Sequence, residues 1–356
     1  MRTTSTNRVP DQLREVASTG ISASQFAGMP LGVLIARYPR LATIPRVALG
    51  AYPTPVQRVD DGAVERFLGA GGGPLWIKRD DLGAEPLGGN KVRSLEVLLA
   101  GVRAGGEVLT VGARASTHAL ATAVHAARLG AHTTVVRWSQ DLNGDARRTA
   151  GRLASEARVI DAVTPVDAFA VALVWRVARR PHWVPAGGTS PLGVLGHVNA
   201  ALELAQQVRD GELPEPAEVV LPLGTGGTAA GLALGFAIAG VATRVVGARV
   251  VPRIVARRGR VLALAGRTAR LIERATGTAV PRPEPDRVRI VHEVFGGAYG
   301  RATTQGDRAA GWMREATGIA LDATYSAKAA AALRARGPGG GPTLFWLTFD
   351  SRWMHR

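Results

Sequence analysis

Arg79-Asp80-Asp81-Leu82-Gly83-Ala84-Glu85-Pro86-Leu87-Gly88-Gly89-Asn90-Lys91-Val92-Arg93-Ser94-Leu95-Glu96 places a lysine behind a glycine pair and at the head of an apolar-periodic segment. That lysine stands out by scarcity. Of 44 basic residues in the chain, only Lys78, Lys91 and Lys328 are lysines. Gly88 and Gly89 allow a tight turn without a Cβ penalty, and Asn90 is a favoured cap for a helix starting at Lys91. An amine held there and desolvated loses its proton more readily and can attack a carbonyl, as Schiff-base lysines do. A solvated lysine in a first helical turn carries the same local signature, so position alone leaves both readings open.

Two further stretches carry chemistry. Gly224-Thr225-Gly226-Gly227-Thr228 lies where an apolar strand, Glu218 to Leu223, gives way to a helix. Backbone N–H groups converging there, with the helix N-terminus behind them, suit a phosphate. Gly224, Gly226 and Ala229 also satisfy a relaxed dinucleotide pattern. An NAD site, however, wants an acidic residue about 20 positions on, and Arg249 offers at best a partner for the 2′-phosphate of NADP. Ala115-Ser116-Thr117-His118 falls between a strand and a helix, where hydroxyls are by default caps. His118 and His125 lie two turns apart on one helical face, but no nearby carboxylate completes a metal site. They read as packing or site-lining residues, and no metal is expected.

These segments together resemble fold-type II pyridoxal-phosphate enzymes, in the branch of D-cysteine desulfhydrase and 1-aminocyclopropane-1-carboxylate deaminase. The resemblance rests on Trp76 to Leu82 with Gly88 to Arg93, on Tyr52-Pro53-Thr54-Pro55-Val56, and on Gly224 to Thr228. It continues through Ala298-Tyr299-Gly300 and Leu321-Asp322-Ala323-Thr324-Tyr325-Ser326-Ala327-Lys328-Ala329. It implies that Lys91 carries pyridoxal 5'-phosphate and that the glycine loop, Gly224, Thr225, Gly226, Gly227 and Thr228, holds its phosphate. Asn90, Thr117 and Ser326 would be further cofactor contacts, with Ser326 facing the ring nitrogen. Ser116, Tyr299 and Tyr325 would assist Lys91 in moving protons. The chain departs from the family at Ala115 and Thr117, where Gln and Asn are usual, and at Ser94, where a second lysine is common. Leu347-Thr348-Phe349-Asp350 replaces a C-terminal His-Thr-Gly-Gly, a change expected to reshape a wall of the pocket.

Length and composition agree with such an enzyme. The 356 residues, 46% of them hydrophobic, suffice for two modest domains with packed cores. The net charge of +16 comes from arginines scattered along the chain, without a basic run interleaved with exposed aromatics, so a nucleic-acid partner is not expected. With no cysteine there is no disulfide framework, thiolate metal site or thiol nucleophile, which is compatible with a reducing cytoplasm. The nearly uncharged Gly226 to Val241 is short for a membrane span and glycine-rich, so a buried crossover helix is expected, and no membrane partner. Residues 1 to 44 read as an N-terminal extension without the layout of a secretory signal.

Alternating strand and helix signals from Val108 onward imply parallel sheets with helices on both faces, an α/β fold. Strands are expected at Val108 to Gly112, Thr133 to Arg137, Arg158 to Val163, Glu218 to Leu223, Arg244 to Val251, Val288 to Phe295 and Thr343 to Thr348. Helices are expected at Ser116 to Leu129, Ala168 to Arg179, Leu192 to Val208 and Ile254 to Ala275. The family implies a tryptophan synthase beta-like arrangement of two αβα domains with the cofactor in the cleft between them. A small domain would span 92 to 186, and a large one 45 to 91 with 187 to 356. The expected activity is that of a lyase or deaminase on a small amino acid, most simply β-elimination of D-cysteine or a similar β-substituted amino acid. Opening of 1-aminocyclopropane-1-carboxylate, an NADP-dependent reaction and a non-catalytic relative binding a phosphorylated ligand are the alternatives. The family's habit implies a homodimer.

Overall fold

The computed structural model describes residues 28–69, 73–142, 144–334 and 341–355. Among them ten strands follow in chain order: β1 (Val56–Arg58), β2 (Leu75–Arg79), β3 (Glu107–Ala113), β4 (His132–Trp138), β5 (Arg158–Ala162), β6 (His182–Trp183), β7 (Glu218–Leu223), β8 (Arg244–Arg249), β9 (Val288–Val291) and β10 (Thr343–Leu347). The helices are α1 (Gly32–Arg37), α2 (Asp61–Leu68), α3 (Asn90–Leu98), α4 (Thr117–Arg128), α5 (Gly144–Glu156), α6 (Pro165–Arg179), α7 (Pro191–Arg209), α8 (Gly227–Ala239), α9 (Arg258–Thr276), α10 (Thr304–Thr317) and α11 (Ser326–Arg334).

Two sheets result. One has six strands in the order β1-β2-β10-β7-β8-β9, parallel except for the β1–β2 pair, and the other has four parallel strands in the order β5-β4-β3-β6. The chain thus builds β1 and β2, leaves to make the four-stranded sheet, and returns to finish the first. Strands β7 and β10 are almost wholly buried, as apolar runs covered on both faces must be. Expected elements recur within a few residues, with two notable differences. The strand starting at Val288 ends at Val291, before Phe295, and α9 starts at Arg258 after turns over 252–256.

Helix α7 is the hub. Ser190 Oγ accepts from Gly193 N at 3.1 Å as its cap, Pro191 opens it, and 14 of its 19 residues are buried. Glycines let its neighbours come close. A Cβ at Gly196 would meet Arg93 O of α3 at 2.0 Å, and Cβ atoms at Gly231 and Gly235 of α8 would meet Cβ of His197 and Ala201 at 2.3 and 2.5 Å. The apolar segment after the glycine loop is therefore a buried crossover helix packed on α7. No helix among the described residues is long and apolar enough to cross a membrane.

Residues 1–27, the first part of the expected extension, lie outside the described residues. The remainder joins the core: Leu31, Leu34, Ile35 and Leu41 pack in the cluster around α7, and Leu34 N donates to Asn199 Oδ1 at 2.9 Å.

Candidate active site

Four chain segments meet where strands end: the turn into α3, the β3–α4 loop, the β6–α7 link and the β7–α8 loop. They enclose a cavity of about 610 Å³, at the carboxyl ends of parallel strands where α/β folds place ligands. Lys91, Asn90, Ser116, Thr117, Tyr299, Tyr325 and the whole stretch Gly224 to Thr228 line it. The structure thus brings together residues up to 235 positions apart, Asn90 and Tyr325 among them. Ser326 is the exception. It is 1% exposed, starts α11, and is not part of the cavity wall.

The lysine turn is held from behind. Gly89, at φ 129°, caps α3 and bridges to Phe349, and Asn90 N donates to Thr348 O at 3.1 Å. A Cβ at Gly89 would sit 2.6 Å from Thr348 O, so glycine is required by space as well as by φ. Asn90 is therefore not the helix cap. Its side chain instead donates to Thr228 Oγ1 at 2.7 Å, tying the lysine turn to the glycine loop. Thr228 Oγ1 lies 3.4 Å from His197 Nε2, which is 2.9 Å from Ser94 Oγ. Thr348 and Phe349, from the segment that departs from the family, are wall residues.

Lys91 Nζ donates to Gly187 O at 3.2 Å. Burial lowers the amine from 10.5 to about 8, so near neutrality a useful fraction is an unprotonated nucleophile and base. His118 and His197 do not compete as bases. Burial and then the neighbouring Lys91 push His118 down to about 3, and His197 lies well below the usual range for the same reasons with Arg93 added. His118 Nε2 meets Pro185 O at 3.1 Å and so carries the ring proton, leaving the buried Nδ1 without a partner. The histidine pair is no metal site: His125 Nε2 donates to Leu87 O at 2.9 Å.

Tyr299 and Tyr325 hydrogen-bond through their hydroxyls, with ring centroids 6.0 Å apart and edge-to-face. Burial raises Tyr325 to about 12 and Tyr299 well above 10. Both stay protonated, so in their mutual bond one hydroxyl accepts and the other remains free to donate, and neither acts as a base. Asp322 places Tyr325 by accepting from the N–H groups of Thr324, Tyr325 and Ser326 at 3.1, 2.7 and 3.0 Å. The Ser326 hydroxyl helps hold that carboxylate's charge yet forms no hydrogen bond of good geometry. Ser116 caps α4, its Oγ accepting from Ala119 N at 3.2 Å, while it also faces the cavity.

The residues present fit pyridoxal phosphate. The N-terminus of α8 opens on the cavity with no side-chain cap and no acidic residue in its first turn, and a Cβ on Gly224 would meet nothing within 4 Å. Free N–H groups and helix partial charge there would hold a phosphate, and Lys91 would hold the aldehyde. The dinucleotide alternative fails at Arg249, whose guanidinium is engaged by Val251 O at 3.2 Å and His292 O at 3.4 Å and covers the Phe295 ring. Sequence reasoning missed Gly187 and Thr189 of the β6–α7 link. Thr189 Oγ1 donates to Thr225 Oγ1 at 2.5 Å, and the Gly187-Gly188-Thr189-Ser190 run, similar in kind to the glycine loop, was the available signal. It also missed Trp138, Phe169, Trp183 and Arg260 on the wall, which carry no local signal.

Comparison with known proteins agrees. The family described as pyridoxal-phosphate dependent enzyme matches residues 47–348. The chain is 35% identical over 332 residues to nocardicin C-9' epimerase of Nocardia uniformis subsp. tsuyamanensis, covering 88% of this chain and 94% of the relative. It is 32% identical over 325 residues to D-cysteine desulfhydrase of Salmonella paratyphi B, covering 86% and 94%. A solved ACC deaminase homologue superposes with a TM-score of 0.71 at 31% identity, covering 88% of this chain and 94% of that one.

Proposed function

We propose that this chain, which belongs to the fold-type II pyridoxal-phosphate dependent enzymes, eliminates a leaving group from the β-carbon of a cysteine-like amino acid. D-cysteine is the simplest such substrate, and the products are a 2-oxo acid and ammonia. Pyridoxal phosphate, when bound, withdraws electrons from the substrate α-carbon, most strongly where a carboxylate keeps its ring nitrogen protonated.

The observation that carries the proposal is that, among the described residues, no aspartate or glutamate lines this cavity. Asp322, the carboxylate closest in sequence to Tyr325 and Ser326, is committed to three backbone N–H groups. A site without that charge suits loss of a good leaving group better than opening of an unactivated ring. Lys91, lowered to about 8, is the group able to take the α-proton, while the protonated Tyr299–Tyr325 pair donates to what departs. The identity to a D-cysteine desulfhydrase supports the same reading.

The test is a panel of D- and L-amino acids assayed for 2-oxo acid and ammonia. D-cysteine or β-chloroalanine should be turned over faster than 1-aminocyclopropane-1-carboxylate, and the reverse order would overturn the proposal. A second reading, inversion at a stereocentre, is favoured by the 35% identity to an epimerase. Loss of optical activity without release of ammonia would select it. A homodimer is supported by the apolar outer face of α6, where Val166, Val174 and Val177 are 77%, 69% and 72% exposed. A monomeric mass by light scattering would remove that part.

A further inference from the structure

The cavity is larger and more aromatic than a cysteine side chain requires. One end is polar, formed by Lys91, Asn90, Ser116 and the glycine loop. Another part of its wall is apolar: Trp138 at the end of β4, Trp183 in β6, Pro165 and Phe169 in the first turns of α6, and Val255 beyond β8. These groups present no charged atom, so they offer no ion pair to a phosphate or a carboxylate. They are also braced. Trp138 stacks on Phe169 with centroids 6.5 Å apart and planes at 24°, and Arg176 lies over the Trp183 ring at 4.8 Å. Phe169 is 47% exposed although it bounds the cavity. An apolar partner on these rings would therefore bury surface that is now wet. The cavity of about 610 Å³ lies within the range of about 300–1,000 Å³ typical of ligand sites, and it has to hold pyridoxal phosphate together with the substrate. Charge excludes one class, because Lys91 and Arg260, the charged side chains of the wall among the described residues, are both cationic and would repel a cationic substituent.

We infer that the site selects amino acids whose β-substituent carries an uncharged aromatic ring, the ring packing against Trp138, Phe169 and Trp183. This deepens the elimination proposed above and rests on it for the reaction, though not for the binding. With S-benzylcysteine as probe, the Cβ–S bond breaks and sulfur leaves with the bonding pair, taking up a proton as phenylmethanethiol. The three-carbon remainder and one water yield pyruvate and ammonia.

Both enantiomers of S-benzylcysteine and S-methylcysteine should be assayed with the holoenzyme for thiol and pyruvate. In parallel, 3-phenylpropionate and propionate, which have no amine to react, should be titrated against the holoenzyme by intrinsic tryptophan fluorescence. The expected result is a kcat/KM ratio of benzyl to methyl substrate of at least about tenfold, equivalent to about 1.4 kcal/mol. That ratio should fall in Trp138→Ala and in Phe169→Ala, the second a half-exposed position that tolerates truncation, and 3-phenylpropionate should bind more tightly than propionate. Equal kcat/KM for the two substrates, together with equal binding of the two acids, would overturn the inference. Tighter binding of 3-phenylpropionate with no amino acid turned over would sustain this inference and remove the elimination reading instead.

Discussion

Arg93, two residues beyond Lys91, donates to Glu203 Oε2 at 2.8 Å where both side chains are almost wholly shut off from solvent. The same glutamate accepts from Lys78 Nζ at 2.6 Å and Thr54 N at 2.9 Å, and Arg93 also pairs with Asp80 at 2.7 Å. This cluster fastens α3, and hence the lysine turn, to β2 and α7. Burial alone would raise the Glu203 carboxyl, but Arg93 and Lys78 hold it down at about 2. Its stabilisation is thus complete above the ordinary value of 4.5 and is lost as pH falls from there towards 2. Glu203→Gln should lose about 3–5 kcal/mol at pH 7, since two buried cations are left underpaired. Urea unfolding at pH 7 and pH 3 checks both points, and a variant as stable as the parent at pH 7 would contradict the account.

Lys91 should be the lysine that takes the cofactor. Lys78 is held in the ion pair with Glu203, and Lys328 is 0% exposed and donates to Phe295 O at 2.8 Å. Lys91→Ala should lose the visible absorbance of bound cofactor and all turnover, and borohydride should fix the cofactor on Lys91 alone. Because the amine is lowered to about 8 by burial, the rate at which apoenzyme captures pyridoxal phosphate should rise with pH and level off above about 8. A rate still climbing at pH 10 would mean an ordinary exposed lysine.

Gly226 caps α8 at φ 92°, and a Cβ there would approach Val261 Cγ2 at 3.2 Å. Gly226→Asp adds backbone strain and a negative charge at the proposed phosphate cradle. Affinity for pyridoxal phosphate should fall by about ten- to a hundredfold, equivalent to about 1.4–2.8 kcal/mol. Unchanged affinity in a folded variant would move the phosphate elsewhere.

What could be read from the chain follows from how local each signal is. Lys91 was legible because a rare residue follows a glycine pair, and the phosphate cradle because an apolar strand, glycines and an apolar helix are contiguous. The glycine-rich stretch Gly226 to Val241 was legible as a buried crossover helix, though only the structure shows Gly231 and Gly235 packed against α7. The aromatic wall was not. Trp138 pairs with Ala113 and Trp183 with Leu109 in neighbouring parallel strands, so register, not sequence proximity, assembles it. The place of a charge is hidden for a similar reason: Arg93 and Lys78 find Glu203 more than 100 residues away and are buried. Asn90 had the composition of a cap, yet the chain turns one residue earlier because Gly89 alone fits against Thr348.

Glu96, on the same helix as Lys91, behaves oppositely to Glu203. Its Oε1 accepts from Leu49 N at 3.1 Å and Gly50 N at 3.0 Å, and burial outweighs those bonds, raising the carboxyl from 4.5 to about 7. The folded state therefore binds this proton more tightly than the unfolded chain does. Stability from Glu96 is present below about 4.5 and declines as pH rises towards about 7. Glu96→Gln keeps a neutral acceptor for both N–H groups and removes the ionisation. Relative to the parent, the variant should match it at pH 4.5 and be more stable at pH 8 by on the order of 1–3 kcal/mol, since each pKa unit corresponds to about 1.4 kcal/mol. The quantity to measure is the variant-minus-parent difference in unfolding free energy across that window, which cancels the other titrating groups. A difference that does not grow with pH would mean that Glu96 is ionised in the folded protein at no cost, and that the loop over 47–50 is held by a charge.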